Sequence, residues 1–371
     1  MSVSFRIREA TLDDNDALIE LIRRCPVRGP LHVALDRSPD YFAFLRMQGP
    51  RSQVFVAETL NGGIVGSMVL VESGGEAWEG SRVLRLADLR TDPSFRHTRV
   101  AAALMEKYRS RLIQEGFAYG LVETLQNKAP PRKTQRLLGE QVEVWPEGRF
   151  ELYQLPPLRP FSKPAGMRVR TAEIADIPAL SDLLLSHYAD TMGRPSFDEE
   201  WLLASLQQHN SFGLEHMWLA EDDRGKILAC AGVWDQRQLR QTLTVRLGRF
   251  MRVFLRFLAL IGFLWKVPPL PAPGRLLRFA HLRWPACARG QEKALGVLIR
   301  HLLTVMREGG EYQFLAVGLP EGDRLKASLK GILRFKTRIF LYSHRVKARQ
   351  EPAGLSKLGA PLRPFVDASL I

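Results

Sequence analysis

The chain repeats itself. Residues 5–21, FRIREATLDDNDALIEL, and residues 167–183, MRVRTAEIADIPALSDL, are identical at seven positions: Arg6/Arg168, Arg8/Arg170, Ala10/Ala172, Asp14/Asp176, Ala17/Ala179, Leu18/Leu180 and Leu21/Leu183. Two further matches follow in the same order. VFVAETLNGGIVGSMV (54–69) aligns with MWLAEDDRGKILACAG (217–232), and LRLADLR (84–90) aligns with LRFAHLR (277–283). Three matches in one order restrict the chain to two copies of one structural unit.

The pattern of each copy is readable. Phe5 and Ile7 alternate with Arg6 and Arg8, the period-two signature of a strand with one buried face. A polar turn follows, with Asp13 or Asp14 available as a helix N-cap, and then Ala17, Leu18, Leu21, Ile22 and Cys25 recur at helical spacing. The second match predicts a β-hairpin turning at Gly62 or Gly225. The third predicts a strand, a basic loop and a long helix stopped at Glu115-Gly116 or Glu308-Gly309, where glycine ends helices. New strands are predicted at 117–124 and 312–318. The fold class is therefore α/β: two tandem domains, each a mixed, mostly antiparallel sheet with helices on both faces. Boundaries fall at 1–155 and 167–347, with a Pro-rich linker at 156–166 and a tail at 348–371.

The chain has 371 residues, with 53 Lys+Arg against 39 Asp+Glu. Cys25, Cys230 and Cys287 lie far apart without a CxxC pair, which argues against a zinc ribbon, predicts no metal and suits a reducing cytoplasm. Arg6, Arg8, Glu9 and Asp13 stand where a signal peptide needs an apolar run. Residues 236–291 hold eleven Arg or Lys and no Asp or Glu. Such a stretch suits an anionic partner or a solvated face with salt bridges to the other domain. No RRM, KH or zinc-knuckle signature accompanies it. Within the insert 240–274, Arg246, Arg249, Arg252 and Arg256 are spaced along one helix face. The apolar run from Phe257 to Trp265 is far shorter than the roughly 20 residues that cross a bilayer. The spacing predicts a helix over 245–265 packed on protein, acting as a lid or dimer element, with an anionic membrane surface as the other reading. Homo-oligomerisation is left open.

After the fourth strand the first copy reads Arg96-His97-Thr98-Arg99-Val100-Ala101, and the second Arg289-Gly290-Gln291-Glu292-Lys293-Ala294. A strand, a basic loop with small residues and a helix, seen twice in this element order, resembles the GNAT superfamily of acyl-CoA N-acyltransferases. The resemblance covers about residues 5–155 and 167–345. Members commonly carry Arg or Gln, two residues, Gly, one residue, then Gly or Ala. Both copies keep the leading Arg and the final Ala, and have Arg99 or Glu292 in place of the central Gly.

The resemblance implies that a CoA pyrophosphate sits on the helix N-terminus, where backbone N–H groups and the helix dipole attract anions. Arg96, His97, Thr98, Arg99, Val100 and Ala101 form that cradle in the first copy, whereas Glu292 would repel a pyrophosphate in the second. The first copy is thus the expected acyl-CoA site. A bulge N–H at Leu89 or Arg90 would polarise the thioester carbonyl, and Asn127 would lie near CoA unless it is a plain turn residue. Asp88 is the candidate base, with Asp92 just beyond it and Glu123 on the next strand, and with the polar side of a half-exposed strand as the plainer reading. His281 is its sequence match in the second copy. The family's usual tyrosine acid is missing from 128–145, leaving Tyr119 and Tyr153 as geometric substitutes. The expected activity is N-acyl transfer, with acetyl-CoA or a related acyl-CoA as co-substrate and a small-molecule or peptide amine as acceptor. Two alternatives are a non-catalytic CoA-binding or scaffold protein and a transferase acting on a nucleic-acid-bound or anionic partner.

Overall fold

The computed structural model describes residues 4–27, 31–48, 51–73, 82–124, 131–162, 166–192, 194–207, 211–247, 271–347, 363–365 and 367–370. The first half runs β1 (Phe5–Glu9), α1 (Asn15–Arg24), β2 (Leu31–Asp36), α2 (Ala43–Arg46), β3 (Ser52–Thr59), β4 (Ile64–Ser73), β5 (Val83–Thr91), α3 (Val100–Gln114), β6 (Tyr119–Thr124), α4 (Pro131–Leu138) and β7 (Val142–Leu155). The second runs β8 (Met167–Thr171), α5 (Ile177–His187), β9 (Thr191–Met192), α6 (Glu199–Gln207), β10 (Met217–Asp222), β11 (Ile227–Trp234), β12 (Gln241–Leu247), β13 (Phe279–Cys287), α7 (Glu292–Gly309), β14 (Phe314–Pro320) and β15 (Phe335–Val346), with β16 (Arg363–Pro364) in the tail.

The identical residues of the repeat make identical contacts. Arg8 grips Asp14 through both terminal nitrogens, at 2.7 and 2.8 Å, and Arg170 grips Asp176 at 2.6 and 2.8 Å. Each arginine also pairs with a carboxylate on the neighbouring strand, Glu58 or Glu221. A bidentate guanidinium thus ties the first strand to the turn that launches the first helix, twice. Behind that turn Leu18, Leu21, Ile22 and Cys25 of the expected stripe are buried, together with Ile19, whereas Ala17 faces solvent.

Twelve strands form one sheet in the order β1-β3-β4-β5-β6-β15-β7-β14-β13-β11-β10-β8. Only β5·β6 and β13·β14 pair in parallel within it. Helices cover both faces: α3 buries Leu104, Tyr108 and Leu112 on one side of the first half, and α1 covers the other. The halves share their last strands. β15 from the second half lies between β6 and β7 of the first, and β7 in turn pairs with β14. The Tyr108 hydroxyl of α3 meets His344 Nδ1 of β15 at 2.8 Å in a buried contact. Gly120 is needed there, since a Cβ would stand 1.8 Å from that hydroxyl. A second tie is the antiparallel pair β2·β12.

That pair corrects part of the insert reading. Residues 245–247 are strand, because Thr242, Thr244 and Val245 supply the β-branched residues a paired edge favours. Arg246 therefore lies on β12 opposite His32 rather than on a helix face. Arg249, Arg252, Arg256 and the Phe257–Trp265 run lie outside the described residues. Among the described residues no helix is long and apolar enough to cross a membrane.

The shared strands carry a testable consequence. Residues 4–162 expressed alone would leave β6 and β7 without β15 between them, and unpaired strand edges of that length promote association. The fragment is expected to aggregate or remain unfolded, and co-expression with residues 166–371 to restore a soluble complex. Far-UV circular dichroism and size-exclusion chromatography read this directly, and a well-folded monomeric fragment would contradict it.

Candidate functional site

Each half opens between its parallel strands. The β5·β6 register ends at Leu86↔Val122 although β5 continues to Thr91, and β13·β14 ends at Leu282↔Val317 although β13 continues to Cys287. Just beyond each last pair sits a bulge. Asp88 and Leu89 together face Met68, and Trp284 and Pro285 together face Ala231. The first residue of each bulge has positive φ, 46° at Asp88 and 50° at Trp284, a conformation that costs an ordinary side chain about 1–3 kcal/mol.

The bulges fix the true alignment of the two halves. Strand starts, parallel register and bulge all place Asp88 opposite Trp284 in the repeat, three residues from the sequence match that paired it with His281. The shared LR…LR spelling is a coincidence of composition. The corrected register matters chemically: Leu89, 40% exposed, carries a backbone N–H at the opening, while its counterpart Pro285 has none to give.

Asp88 is surrounded by cations. Its carboxylate accepts from Arg37 Nη2 and, at 3.0 Å, from Arg90 Nη2. Arg37 is 1% exposed and lies over the rings of Tyr41 and Phe44; Arg240, reaching across from the second half, lies over Phe44 as well. Burial works against the ionised carboxyl, but the charges of Arg37 and Arg90 override it and hold Asp88 well below the usual carboxylate range. So held, Asp88 is a poor proton acceptor at neutral pH, and the geometry speaks against its expected role as base. The other candidates are placed elsewhere. Glu123 is paired to Arg85 at 2.9 Å. Tyr119 sits opposite Val83 at the closed end of β5·β6, and the Tyr153 hydroxyl donates to Glu151. Asn127 lies outside the described residues.

The helix N-termini differ in kind. Before α3, Arg96, His97 and Arg99 are exposed and form no ion pair among the described residues. Thr98 and Val100 complete that turn, with Val100 N–H donating to Thr98 Oγ1 at 3.4 Å. Ala101 follows in the first turn of the helix. Gly66 lets the turn settle onto β4, since a Cβ there would be 2.5 Å from Val100 Cγ1 and 3.2 Å from the Arg90 carbonyl oxygen. At α7 the same place is filled by the chain itself. Glu292 is paired to Arg324 at 2.6 Å. Burial opposes its ionisation, yet backbone N–H groups of Glu292 and Gly290 and the Arg324 guanidinium lower its pKa. One N-terminus offers unspent cations, the other an internal anion.

The second opening holds a cavity of about 360 Å³ beside Leu282, Trp284, Pro285 and Leu319. The tail returns to it: Phe365 and Asp367 line it, and Asp367 accepts from Arg283 Nε at 3.0 Å and Trp284 Nε1 at 3.2 Å.

The overall fold has solved counterparts. The fold is that of a tandem GNAT protein. Saccharomyces cerevisiae N-myristoyltransferase with bound myristoyl-CoA superposes with a TM-score of 0.63 at 11% identity, over 95% of this chain and 85% of that one. A tandem GNAT protein from the clavulanic acid biosynthesis pathway gives 0.57 at 14% identity, over 94% of this chain and all of the other. A glucosamine N-acetyltransferase region of a fungal multi-domain β-N-acetylglucosaminidase gives 0.58 at 12%, covering 38% of that chain. No protein-family model matches the sequence, and no curated protein matches it.

Against that fold, several residues stand out that the sequence did not single out. Arg37, Tyr41 and Arg240 surround Asp88, and Arg324 closes the α7 N-terminus. The cation-only stretch 236–291 is partly satisfied from within, Arg237 by Asp235 and Glu311 and Arg283 by Asp367.

His281 is 5% exposed, and among the described residues neither ring nitrogen has a hydrogen-bond partner. Burial first, and Arg240 second, push its pKa down to about 3, so it cannot take a proton near neutral pH. The unfolded chain protonates this histidine below its ordinary value of 6.5 while the native state does not. Stability is therefore complete above pH 6.5 and falls as pH drops toward 3. His281→Leu is expected to flatten the pH dependence of unfolding free energy between pH 6 and 4 by up to about 1.4 kcal/mol per pH unit. Urea titrations at several pH values would show it; an unchanged slope would mean His281 protonates in the native state.

Proposed function

We propose that the chain is an acyl-CoA-dependent N-acyltransferase with its donor site in the first half, residues 1–155. The 156–166 linker would join it to a second half, 167–347, that shapes the molecule without holding a donor. The observation that carries this reading is the convergence, at the C-terminal end of β5, of the Leu89 bulge with an open, cationic α3 N-terminus.

In this reading Arg96, His97, Thr98, Arg99, Val100 and Ala101 cradle the CoA pyrophosphate, with charge-assisted hydrogen bonds from the two arginines added to the helix N–H groups. Leu89 N–H, supported by the neighbouring Arg90 backbone, points its dipole at the thioester oxygen where negative charge develops during attack. The amine nitrogen bonds to the carbonyl carbon, the C–S bond breaks, and the proton shed by the amine ends on the departing sulfur, so that CoA leaves as the thiol. Asp88 acts as a positioning residue: its ion pairs with Arg37 and Arg90 hold the bulge open. Asn127 remains a candidate contact to CoA. Pro285 and Glu292 remove, in the second half, the two features the donor needs.

Calorimetric titration with acetyl-CoA and with myristoyl-CoA tests the donor, and release of free CoA thiol on adding amines tests the transfer. One donor site per chain and amine-dependent thiol release are expected. No binding of either thioester would overturn the reading. Binding without thiol release from any amine would favour a non-catalytic CoA-binding protein, the second reading, which the ion-paired state of Asp88 and Glu123 supports.

A further inference from the structure

A second cavity, of about 420 Å³, lies between the linker and the last turn of α7. No residue of β5, β6 or α3 contributes to it. Leu158, Phe161, Ile332 and Leu333 give it apolar walls, and Arg159 and Arg307 line it as well. Ile332 is buried and Leu333, at the lip, is 52% exposed. The walls are fixed: Phe161 N–H donates to Thr304 Oγ1 at 3.0 Å, and Arg159 Nη2 donates to the Gly331 carbonyl at 3.2 Å. A slot of this size falls in the range of about 300–1,000 Å³ typical of small-molecule sites.

Its charge is unbalanced. Arg159, Arg300 and Arg334 give their hydrogen bonds to backbone carbonyls, at Gly331, at Gly296 and Lys330, and at Leu329 and Ile332. Among the described residues none of these three, nor Arg307, has a carboxylate partner, and the buried Arg307 Nε has no hydrogen bond. Arg237 of the same half, by contrast, is matched by Asp235 and Glu311. A place in the last turn of α7 favours a cation at Arg307 through the helix dipole. It does not account for a desolvated, unbonded Nε, nor for a second arginine, Arg159, lining the same apolar slot.

We propose that this slot binds a small amphipathic anion, with an alkyl or aryl body among Leu158, Phe161 and Ile332 and one carboxylate or phosphate head on Arg159 and Arg307. The chemistry follows from the lining: apolar walls take the body, and unspent guanidinium donors take the charge. The proposal is independent of the donor-site reading, and its test leaves that site as an internal control.

The test is titration calorimetry of the full chain with decanoate and decyl phosphate below their micelle concentrations. Decyltrimethylammonium and inorganic phosphate serve as controls. One anionic amphiphile per chain is expected, with the cationic analogue and inorganic phosphate at least roughly tenfold weaker, since each supplies only one of the two contacts. The stronger of the two anions identifies the head group. Arg159→Gln, at an exposed position where folding is not at risk, and Arg307→Gln are each expected to weaken binding by about tenfold. Both should leave the thermal midpoint and acyl-CoA titrations unchanged. Equal affinity for the cationic analogue, indifference to both substitutions, or no heat with either anion would each overturn the proposal. So would binding confined to vesicles of anionic phospholipid, which would make the patch a membrane contact.

Discussion

Asp88→Asn is expected to cost about 3–5 kcal/mol of folding stability, the scale for removing one partner of a buried ion pair. The isostere keeps the volume and one acceptor oxygen, so packing is not the cause. What it removes is the charge that offsets Arg37, itself 1% exposed and also close to Arg90 and Arg240. Among the described residues two nitrogens of Arg37, Nε and Nη1, already lack hydrogen-bond partners, which leaves Asp88 as its principal compensation. Urea unfolding at pH 7 measures the loss. The contribution is fully present above the ordinary carboxylate value of 3.8 and is lost only as pH falls from there through the depressed native value. The neutral-pH experiment therefore reads the whole ion pair. The double variant Arg37→Met with Asp88→Asn should recover much of the stability, because both buried charges then leave together. A general base behaves differently: the single variant would fold normally and lose roughly 10²–10⁴-fold in turnover. Normal stability with lost turnover would return Asp88 to the base role.

The contrast shows which parts of this molecule are legible in its sequence. Arg8 and Asp14 recur in register with Arg170 and Asp176, and the structure gives each pair the same bidentate contact. The hairpin glycines fall where positive φ is needed, 79° at Gly62 and 77° at Gly225. These are local constraints, and local patterns report them. Arg37 is different, since it reaches Asp88 from 51 residues away and no motif marks it. The exchange of β7 and β15 is equally silent, because a strand alternates in the same way whichever half it completes. The register of β13 is hidden from the spelling for a related reason. Five identical letters in a window of seven point to one register, whereas the strand starts, the parallel pairing and the bulge, none of which leaves a spelling, fix another three residues away. In β12 the signal was present in Thr242, Thr244 and Val245, but the arginine spacing of the following segment masked it.

The same contrast sets the expectation for the donor site. Arg96→Ala and Arg99→Ala should each weaken acyl-CoA binding by about 1–3 kcal/mol, the range for hydrogen bonds to charged groups. Both side chains are exposed and unpaired among the described residues, so neither substitution has an internal partner to strand, and folding stability should hardly move. Arg289→Ala, also exposed, should leave binding unchanged, because Glu292 and Arg324 already occupy the α7 N-terminus. Raising the salt concentration should reduce the affinity of the wild type more than that of the Arg96→Ala with Arg99→Ala double variant, since exposed charge interactions are the ones that salt screens. A lost cationic contact then shows twice, as weaker binding and as a shallower salt dependence, whereas a general distortion of α3 would weaken binding and keep the slope. Should Arg289→Ala abolish binding while the Arg96 and Arg99 variants bind normally, the donor sits in the second half. In that case Glu292 must swing away from Arg324 to admit a pyrophosphate, and Glu292→Gln would then strengthen binding. With the donor on α3, Glu292→Gln is without effect, so this one substitution separates the two halves even if the arginine losses are small.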